Sequence, residues 1–400
     1  MLLGVDCGGL VKTARQGKQF QNCQLCSQLT CNMDATTVRF VGFFSRCAWL
    51  PLLYPQGMIF ATHKRLAFHL FASLLFCAFA FASEPGTFDR TLPVSGPVTL
   101  DVRSDPGGVY ITTGSSPNVV VHAIIKPLYG RLDLDIAEAN IRALEQNPPI
   151  EQVGNQIRIG FVKDPALLRA VTIRFEIETP RATQVHAHTE SGGISIDGIA
   201  GPVETVTSSG RTEISNVEGE LKVTGHSGAI VIRDAGGHVS VHNGSGGLQL
   251  YGIHGGVDAE TTSGRTEISD VSGDIRATTH SASIRIDKAK GTVEARNTSG
   301  SIDALQLSNS VHAETTSGAI RISQVSPAPI RALTRSGAIK VQLASGGGYL
   351  LDAQSASGKV SGPSTSTLAR TKDAHSLKGQ IGSGGPLVDL DTHSSKIEIE

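Results

Sequence analysis

Residues 245–262 are SGGLQLYGIHGGVDAETT and residues 263–280 are SGRTEISDVSGDIRATTH, two consecutive stretches that share one pattern. Each opens with Ser-Gly, continues with alternating apolar and polar residues, and has a glycine near its middle. A register held through many equal steps indicates a repeat architecture. The opening serine recurs every eighteen residues, followed by Gly or once by Ala, at Ser191, Ser209, Ser227, Ser245, Ser263, Ser281, Ser299 and Ser317.

The apolar residues of each unit alternate with polar ones, first after the serine and again after the mid-unit glycine. A period of two indicates β-strands rather than a helix. We therefore predict two short strands per unit, joined by glycine turns where the backbone bends tightly or takes a positive φ. The first inward column of each predicted strand is Ile194, Thr212, Ile230, Leu248, Thr266, Ile284, Ile302 and Ile320, and then Val203, Leu221, Val239, Val257, Ile275, Val293 and Val311.

One such unit cannot bury its apolar face alone, but stacked copies form a continuous core, with equivalent strands paired in parallel at ~4.8 Å. The pattern predicts an all-β fold, a single-stranded right-handed parallel β-helix (β-solenoid) with ~18-residue coils, regular over residues 191–360. A left-handed hexapeptide helix is the alternative. We favour the right-handed form, because the hexapeptide helix needs an aliphatic residue every six, and the inward positions here have a different spacing.

Less regular sequence flanks the repeat. Residues 84–190 are predicted to form an N-terminal β-rich cap and the first irregular coils, because the end of a solenoid exposes unpaired strand edges. One helix is predicted in this cap, over Leu134–Gln146. Residues 361–400 are predicted as irregular C-terminal coils and a cap, with an excursion loop over 361–369. The strands predicted before the repeat are Val98–Val102, Val109–Thr113, Val119–Ile125, Ile157–Phe161 and Val171–Glu178.

Residues 58–82 are predicted to be a signal peptide. Charged residues follow Met58, an apolar run covers 66–81, and Ala80-Phe81-Ala82 fits a cleavage site. The run is short for a membrane-spanning helix, which needs about 20 residues. An uncleaved anchor is the alternative, and only through it would the chain contact a membrane. We expect an exported protein that is periplasmic, on the cell surface or extracellular.

The segment before the signal, residues 1–57, is expected to be a spurious extension from a start codon placed too far upstream. A small metal module is the alternative, since Cys23 and Cys26 have ligand spacing and Cys31 follows. No second pair at matched spacing accompanies them. The chain has no cysteine after Cys77, so the predicted solenoid uses neither disulfides nor thiolate metal sites.

Charge is balanced along the chain, with 35 Lys plus Arg against 36 Asp plus Glu. Binding to nucleic acid needs a strong basic excess, so we do not expect a nucleic-acid partner. One predicted outward column mixes both signs, which indicates a solvated face with charge pairing between neighbouring strands. Its members are Glu204, Lys222, Ser240, Asp258, Arg276, Glu294, His312 and Arg331.

A second polar column stands two residues before the serine. It could be a stripe that binds a ligand, or a ladder of hydroxyl and amide groups in which each side chain bonds its neighbour or a turn amide. We favour the ladder, because a ligand site would not require the same type of polar residue at this position in almost every coil. The column consists of Thr189, Thr207, Asn243, Thr261, Thr279, Asn297, Thr315 and Thr334.

Right-handed β-helices include polysaccharide lyases and hydrolases, so catalysis is an alternative function for this fold. Those enzymes need carboxylates that converge on neighbouring coils. Glu213 and Glu267 share a column but lie three coils apart, about 14 Å at the strand spacing. Asp389 and Asp391 share one strand face, a common and usually solvated arrangement. From residue 191 onward the chain has no Trp or Phe to stack on a sugar.

Histidines offer the remaining candidate chemistry. His226 and His242 are predicted to lie outward on adjacent coils, with His238 and His254 nearby. Imidazoles without a fixed carboxylate or thiolate make a weak metal site. We therefore assign no catalytic, cofactor-binding or metal-ligating residue, and we expect no cofactor.

Several stretches together resemble the putative-adhesin family of bacterial envelope proteins, a domain of unknown function related to toastrack domains. They are FEIETP at 175–180, TESGGISI at 189–196, the repeated Thr-Ser-Gly, GSGGPL at 382–387 and IEI at 397–399. The resemblance covers most of residues 84–400. It implies a single-stranded right-handed β-helix outside the cytoplasm, and it carries over no catalytic residues.

The function expected from these features is that of an exported, non-enzymatic β-solenoid, an adhesin-like or scaffold module of the bacterial cell envelope. Its partner would be an envelope or surface protein or a polysaccharide. Two alternatives remain open. One is a sensory or regulatory domain in envelope stress, which the toastrack relatives suggest, and the other is a polysaccharide-active β-helix lyase or hydrolase.

Overall fold

In a computed structural model, each eighteen-residue repeat forms one coil of a stack. The structure describes residues 85–128, 134–363, 368–370 and 374–400. The predicted extension (residues 1–57, with its candidate metal cysteines) and the predicted signal peptide (58–82) lie outside the described residues. Within the described residues the strands form two sheets of 15 and 16 strands. We call these sheet A and sheet B.

The cap before the repeat contains the helix where it was predicted, and its strands include two that the sequence did not indicate, β1 and β5. Helix α1 packs its buried residues Ala137, Ile141 and Leu144 onto the sheet. A short 3-10 helix covers Pro165–Leu168. The elements are β1 (Gly86–Leu92), β2 (Val98–Ser104), β3 (Val109–Thr113), β4 (Val119–Pro127), α1 (Leu134–Gln146), β5 (Ile150–Val153), β6 (Gln156–Ile159) and β7 (Val171–Thr179).

The regular coils place one strand in each sheet. The strands of sheet B are β8 (Thr183–Ser191), β10 (Val203–Ser209), β12 (Leu221–Ser227), β14 (Val239–Ser245), β16 (Val257–Ser263), β18 (Ile275–Ser281), β20 (Val293–Ser299) and β22 (Val311–Ser317). Those of sheet A are β9 (Ile194–Asp197), β11 (Thr212–Val217), β13 (Ile230–Ala235), β15 (Leu248–Ile253), β17 (Thr266–Val271), β19 (Ile284–Ala289), β21 (Ile302–Leu307) and β23 (Ile320–Gln324).

Equivalent residues of successive coils are paired in parallel, which confirms the predicted β-solenoid. Ile232 lies opposite Leu250, and Leu250 lies opposite Ile268. These three side chains are at most 1% exposed. The same column arrangement extends through the stack and forms one continuous hydrophobic core. Because each strand pairs with the next at ~4.8 Å, every side chain packs on its counterparts above and below.

The elements after the regular coils do not stack in chain order. Strand β30 pairs in parallel with both β24 and β26, and β31 pairs with both β25 and β27. The coil of residues 387–400 is therefore inserted between two coils that precede it in the sequence. These elements are β24 (Ile330–Thr334), β25 (Ile339–Gln342), β26 (Tyr349–Ser355), β27 (Val360–Ser361), β28 (Leu368–Arg370), β29 (Ser376–Ile381), β30 (Leu387–Thr392) and β31 (Ile397–Ile399).

The prediction of an excursion loop over 361–369 is wrong at its C-terminal end. Residues 364–367 lie outside the described residues, but Leu368–Arg370 forms strand β28, which pairs antiparallel with β29. Strand β29 in turn pairs antiparallel with β26. This small antiparallel sheet covers the edge that β26 would otherwise expose, which is how a solenoid end avoids pairing with another chain.

The opposite end of the stack has the same kind of insertion. Strand β2 lies between β6 and β8, and β3 lies between β7 and β9. The first coil, made of β2 and β3, is therefore covered by strands that come later in the sequence. Strands β1 and β4 then continue sheet A outward in antiparallel pairing. Both ends of the core are closed by chain that doubles back.

The polar column before the serine is buried, so the ligand-stripe interpretation is wrong. Its members, from Thr189 to Thr334, are at most 7% exposed. The predicted ladder is present, but most of its bonds go to backbone carbonyls at the Ser-Gly corners. Thr315 Oγ1 donates to the Gly300 carbonyl at 3.3 Å, and Asn243 Nδ2 donates to the Gly228 carbonyl at 3.2 Å. Bonding between members occurs from Thr261 to Thr279, at 3.0 Å.

A corner of sheet A has a left-handed backbone that the sequence did not indicate. Five residues other than glycine take φ of 54–55° there, once per coil: Asn216, Asp234, Asp270, Lys288 and Gln306. Gly252 holds the same position with φ of 67°. Asn and Asp tolerate this conformation better than most residues, whereas Lys and Gln gain nothing from it.

Lys288→Gly is expected to raise the free energy of unfolding by about 0.5–1 kcal/mol. Glycine removes the strain of a left-handed backbone, which is ~1–2 kcal/mol for other residues. The greater conformational entropy of glycine in the unfolded chain offsets part of this gain. The Lys288–Asp270 ion pair that is lost is exposed and long, at 3.7 Å. Urea denaturation measures the effect. Lys290→Gly, two residues along and without a positive φ, is the control and should be destabilising. Equal destabilisation by both changes would contradict the argument.

Candidate interaction surfaces

The outer face of sheet B carries the predicted column of mixed charge, and its charges are paired. Lys222 Nζ is 2.7 Å from Glu204 Oε1 on the neighbouring strand, and Arg276 is 2.8 Å from Glu294. The hydrogen bond from Lys222 lowers the pKa of the Glu204 carboxyl group below its ordinary value. Pairs this exposed contribute little to stability. The column is a solvated, self-neutralised surface, as predicted.

Two of the candidate histidines on this face lie beside a carboxylate. His242 Nδ1 is 3.3 Å from Glu260 Oε2, and His238 Nε2 is 3.1 Å from Asp258 Oδ2. His226 is exposed on the strand beside His242. In the part of the chain that the structure describes, no three His, Cys, Asp or Glu residues are grouped so as to hold a metal ion.

The candidate catalytic carboxylates lie apart in the structure. Glu213 and Glu267 lie in one column of sheet A with two strands between them. Each is held by an arginine of its own coil, with 2.6 Å from Arg211 to Glu213 and 3.4 Å from Arg265 to Glu267. Asp389 lies outward on β30, 3.7 Å from Arg331. These acids are engaged in separate ion pairs rather than directed at a common point.

A cleft of about 420 Å³ opens in the N-terminal cap, at a place that the sequence did not indicate. The Arg158 guanidinium lies 3.9 Å from the centre of the Phe161 ring and 3.2 Å from Glu151. Arg103 and Lys163 also line the cleft, and both are ion-paired, to Asp105 and Glu151. The three cations of the lining are thus ion-paired to its two carboxylates, which leaves one net positive charge. They come from separate strands and a loop, so no local pattern could have revealed them.

The outer face of sheet A carries a cluster of aromatic, amide and charged side chains around Tyr251, unlike the column of charged residues on sheet B. Tyr251 is half-buried, and its hydroxyl is 3.5 Å from Glu267 Oε2. Gln249 Nε2 donates to the same carboxylate oxygen at 3.3 Å. Arg233 lies directly opposite Tyr251 on the neighbouring strand and is exposed. Val231, which lies between two inward residues on that strand, is only 1% exposed, so neighbouring outward side chains cover it.

No helix among the described residues is long and apolar enough to cross a membrane.

The sequence of residues 176–400 matches the family described as Toastrack DUF4097. This chain belongs to that family. The toastrack match begins inside β7 and runs through all regular coils to the inserted coil of residues 387–400. It includes Tyr251 and its neighbours. The cleft of the cap is lined by residues 103–175 and lies before the matched region.

Three solved structures are similar to this toastrack protein. A putative cell adhesion protein from Clostridium sporogenes is 11% identical, with 79% of this chain and 99% of that chain covered and a TM-score of 0.20. A putative adhesin from Parabacteroides distasonis is 12% identical, with 65% and 98% covered and a TM-score of 0.30. A putative adhesin from Bacteroides fragilis is 15% identical, with 78% and 97% covered and a TM-score of 0.22.

A search of curated proteins by sequence found no match.

Proposed function

We propose that this toastrack protein is an exported, non-enzymatic binding module of the bacterial cell envelope, adhesin-like or scaffold-like in action. Its partner would be an envelope or surface protein or a polysaccharide, held against a flat face of the solenoid. The observation that carries the proposal is the two long sheets of paired parallel strands. They present ordered rows of outward side chains over many coils, a geometry suited to an extended partner.

The distribution of acidic residues supports a binding role over a catalytic one. Hydrolysis or elimination at a sugar needs two or more groups that converge on one bond. Glu213 and Glu267 are instead held by separate arginines, and Asp389 faces Arg331. The near-neutral charge of the chain also favours a partner other than nucleic acid.

Export is tested by changing the predicted signal. Leu75→Arg places a charge in the middle of the apolar run and should keep the protein in the cytoplasm, because signal recognition requires an uninterrupted apolar segment. Leu53→Arg, in the predicted upstream extension, is the matched control and should leave export unchanged. Fractionation with immunoblotting, and protease treatment of intact cells, locate the protein. Wild-type protein found in the cytoplasm would overturn the proposal.

The non-enzymatic part has its own measurement. The purified protein is incubated with envelope polysaccharides, and released reducing ends and unsaturated sugar products are assayed. We expect binding to envelope material without product release. Turnover that exceeds the blank, and that disappears when a carboxylate of the solenoid is changed to its amide, would identify an enzyme instead.

A further inference from the structure

Tyr251 is the one outward aromatic side chain of the coils from residue 191 onward. From residue 191 onward the sequence has two tyrosines and no Trp or Phe. Tyr349 is 1% exposed, and its hydroxyl accepts a hydrogen bond from the Ala344 amide at 3.1 Å. Tyr251 lies outward on β15, in the middle of the regular coils. A half-buried, outward-facing ring among coils that have no other outward aromatic side chain is a feature that core packing does not explain.

The side chains around Tyr251 are held in place before any ligand arrives. Glu267 accepts hydrogen bonds from the Tyr251 hydroxyl at 3.5 Å and from the Gln249 amide at 3.3 Å. It also forms an ion pair with Arg265 at 3.4 Å. Its side chain is only 25% exposed. Val231, in the same outward column as Gln249 and Glu267, is 1% exposed. Groups fixed in this way lose little conformational entropy on binding.

Arg233 is the unpaired cation that lies beside the Tyr251 ring. It lies opposite Tyr251, is exposed, and has no ion pair or side-chain hydrogen bond within the described residues. Arg211, Arg233, Arg265 and Arg285 against Glu213 and Glu267 leave two net positive charges. A free guanidinium presents a planar fork of donors that matches a carboxylate.

We propose that these residues form a binding site for an anionic saccharide segment that carries a carboxylate, such as a uronic acid unit of an envelope polysaccharide. The site consists of Arg233, Gln249, Tyr251 and Glu267. The Tyr251 ring packs against the C–H face of a sugar, Arg233 binds the carboxylate, and Gln249 and Glu267 bond the hydroxyls. The inference rests on the proposed function and specifies the face and the ligand class.

The spacing of the sheet suits this ligand. Arg233 and Tyr251 lie on neighbouring strands, ~4.8 Å apart, and Gln249 lies two residues along the strand from Tyr251, about 7 Å away. A sugar ring centred over Tyr251 thus has a cation on one side and amide and carboxylate groups on the other. Neighbouring coils continue the flat surface, so a longer chain can lie along it.

Titration of the purified protein with oligogalacturonate, followed by calorimetry, tests the site. We expect Tyr251→Ala and Arg233→Ala each to weaken binding by about tenfold, the loss of one aromatic contact or one charge-assisted pair. Tyr251→Phe keeps the ring and should retain most of the affinity. Arg335→Ala removes another exposed arginine without an ion pair, far along the stack, and should change nothing.

The methyl ester of the same oligomer is the matched ligand, because it keeps the sugar and removes the charge. It should bind about tenfold more weakly than the acid. Equal binding of ester and acid, no binding of the acid, or unchanged affinity in the Tyr251→Ala and Arg233→Ala proteins would each overturn the site.

Those outcomes are separable from failure of the proposed function. Binding of wild-type protein to envelope material that survives both substitutions refutes this site and leaves the binding role intact. Binding that is lost after protease treatment of the envelope, but not after removal of its polysaccharide, means that the occupant is a protein, and overturns the saccharide assignment. A protein that stays in the cytoplasm refutes the proposed function itself.

Discussion

Deletion of residues 387–400 is expected to abolish the folded state of the C-terminal coils and to leave the protein prone to aggregation. The deletion removes β30 and β31, each of which has a parallel partner on both sides. Val388, Leu390, Ile397 and Ile399 are at most 5% exposed. At about 1.5–3 kcal/mol for each aliphatic side chain, their burial contributes roughly 6–12 kcal/mol as an upper estimate. That is comparable with the whole stability of a typical domain.

The expected signature is loss of the cooperative unfolding transition, binding of a hydrophobic dye and rapid proteolysis after Gln342. The two coils that flank the missing one would expose four strand edges at once. The triple change Asp389→Ala, Asp391→Ala and Glu398→Ala is the control, because it alters outward side chains of the same strands and leaves the pairing intact. A truncated protein as stable and soluble as this control would contradict the inserted-coil arrangement.

Gly246→Ala is expected to lower the free energy of unfolding by about 3 kcal/mol. Gly246 has a φ of +121°, and a Cβ added there would lie 2.1 Å from the carbonyl oxygen of Gly228 in the neighbouring coil. The substitution therefore combines backbone strain with a clash against the backbone of the Ser-Gly corner in the preceding coil. Ala282 occupies the same corner in a later coil without a positive φ, so the chain can relax by changing its backbone there. That relaxation limits the cost.

Gly247→Ala is the matched control for this prediction. The nearest atom to a Cβ at Gly247 is the Arg265 carbonyl oxygen at 4.0 Å, and the residue has no positive φ. The two changes add the same methyl group one residue apart. Chemical denaturation of both proteins should separate them by several kcal/mol. Loss of stability that is equal in the two proteins would show that corner packing is not what requires glycine.

The regular coils could be predicted from the sequence because their information is local and repeated. The same apolar position recurs in every repeat. The repeat alone therefore shows that Ile232, Leu250 and Ile268 are equivalent, without knowledge of distant contacts. The charge column was equally accessible, since lateral neighbours such as Glu204 and Lys222 are one period apart. Helix α1 was also found, because its amphipathic pattern and its closing prolines are local.

The insertion of coils at the two ends was not predictable in the same way. Strand β30 has the same alternating pattern as any other strand, and nothing in that pattern says that it pairs with both β24 and β26. That choice depends on which edges are left open after the rest of the chain has folded. The left-handed corner was missed because Lys288 and Gln306 are poor indicators of positive φ. The cluster around Tyr251 depends on neighbours from three coils, so only the stacked structure shows it.

Insertion of residues 387–400 between earlier coils has a consequence for biosynthesis. A stack built strictly in order could fold progressively as the chain emerges, each coil settling on the one before. Here the slot between β24 and β26 stays open until residues 387–400 have been made and released. A chain that ends before Leu387 would leave the edges of β24 and β26 unpaired, and quality-control proteases would recognise those open edges. Only a chain that includes residues 387–400 can close the stack.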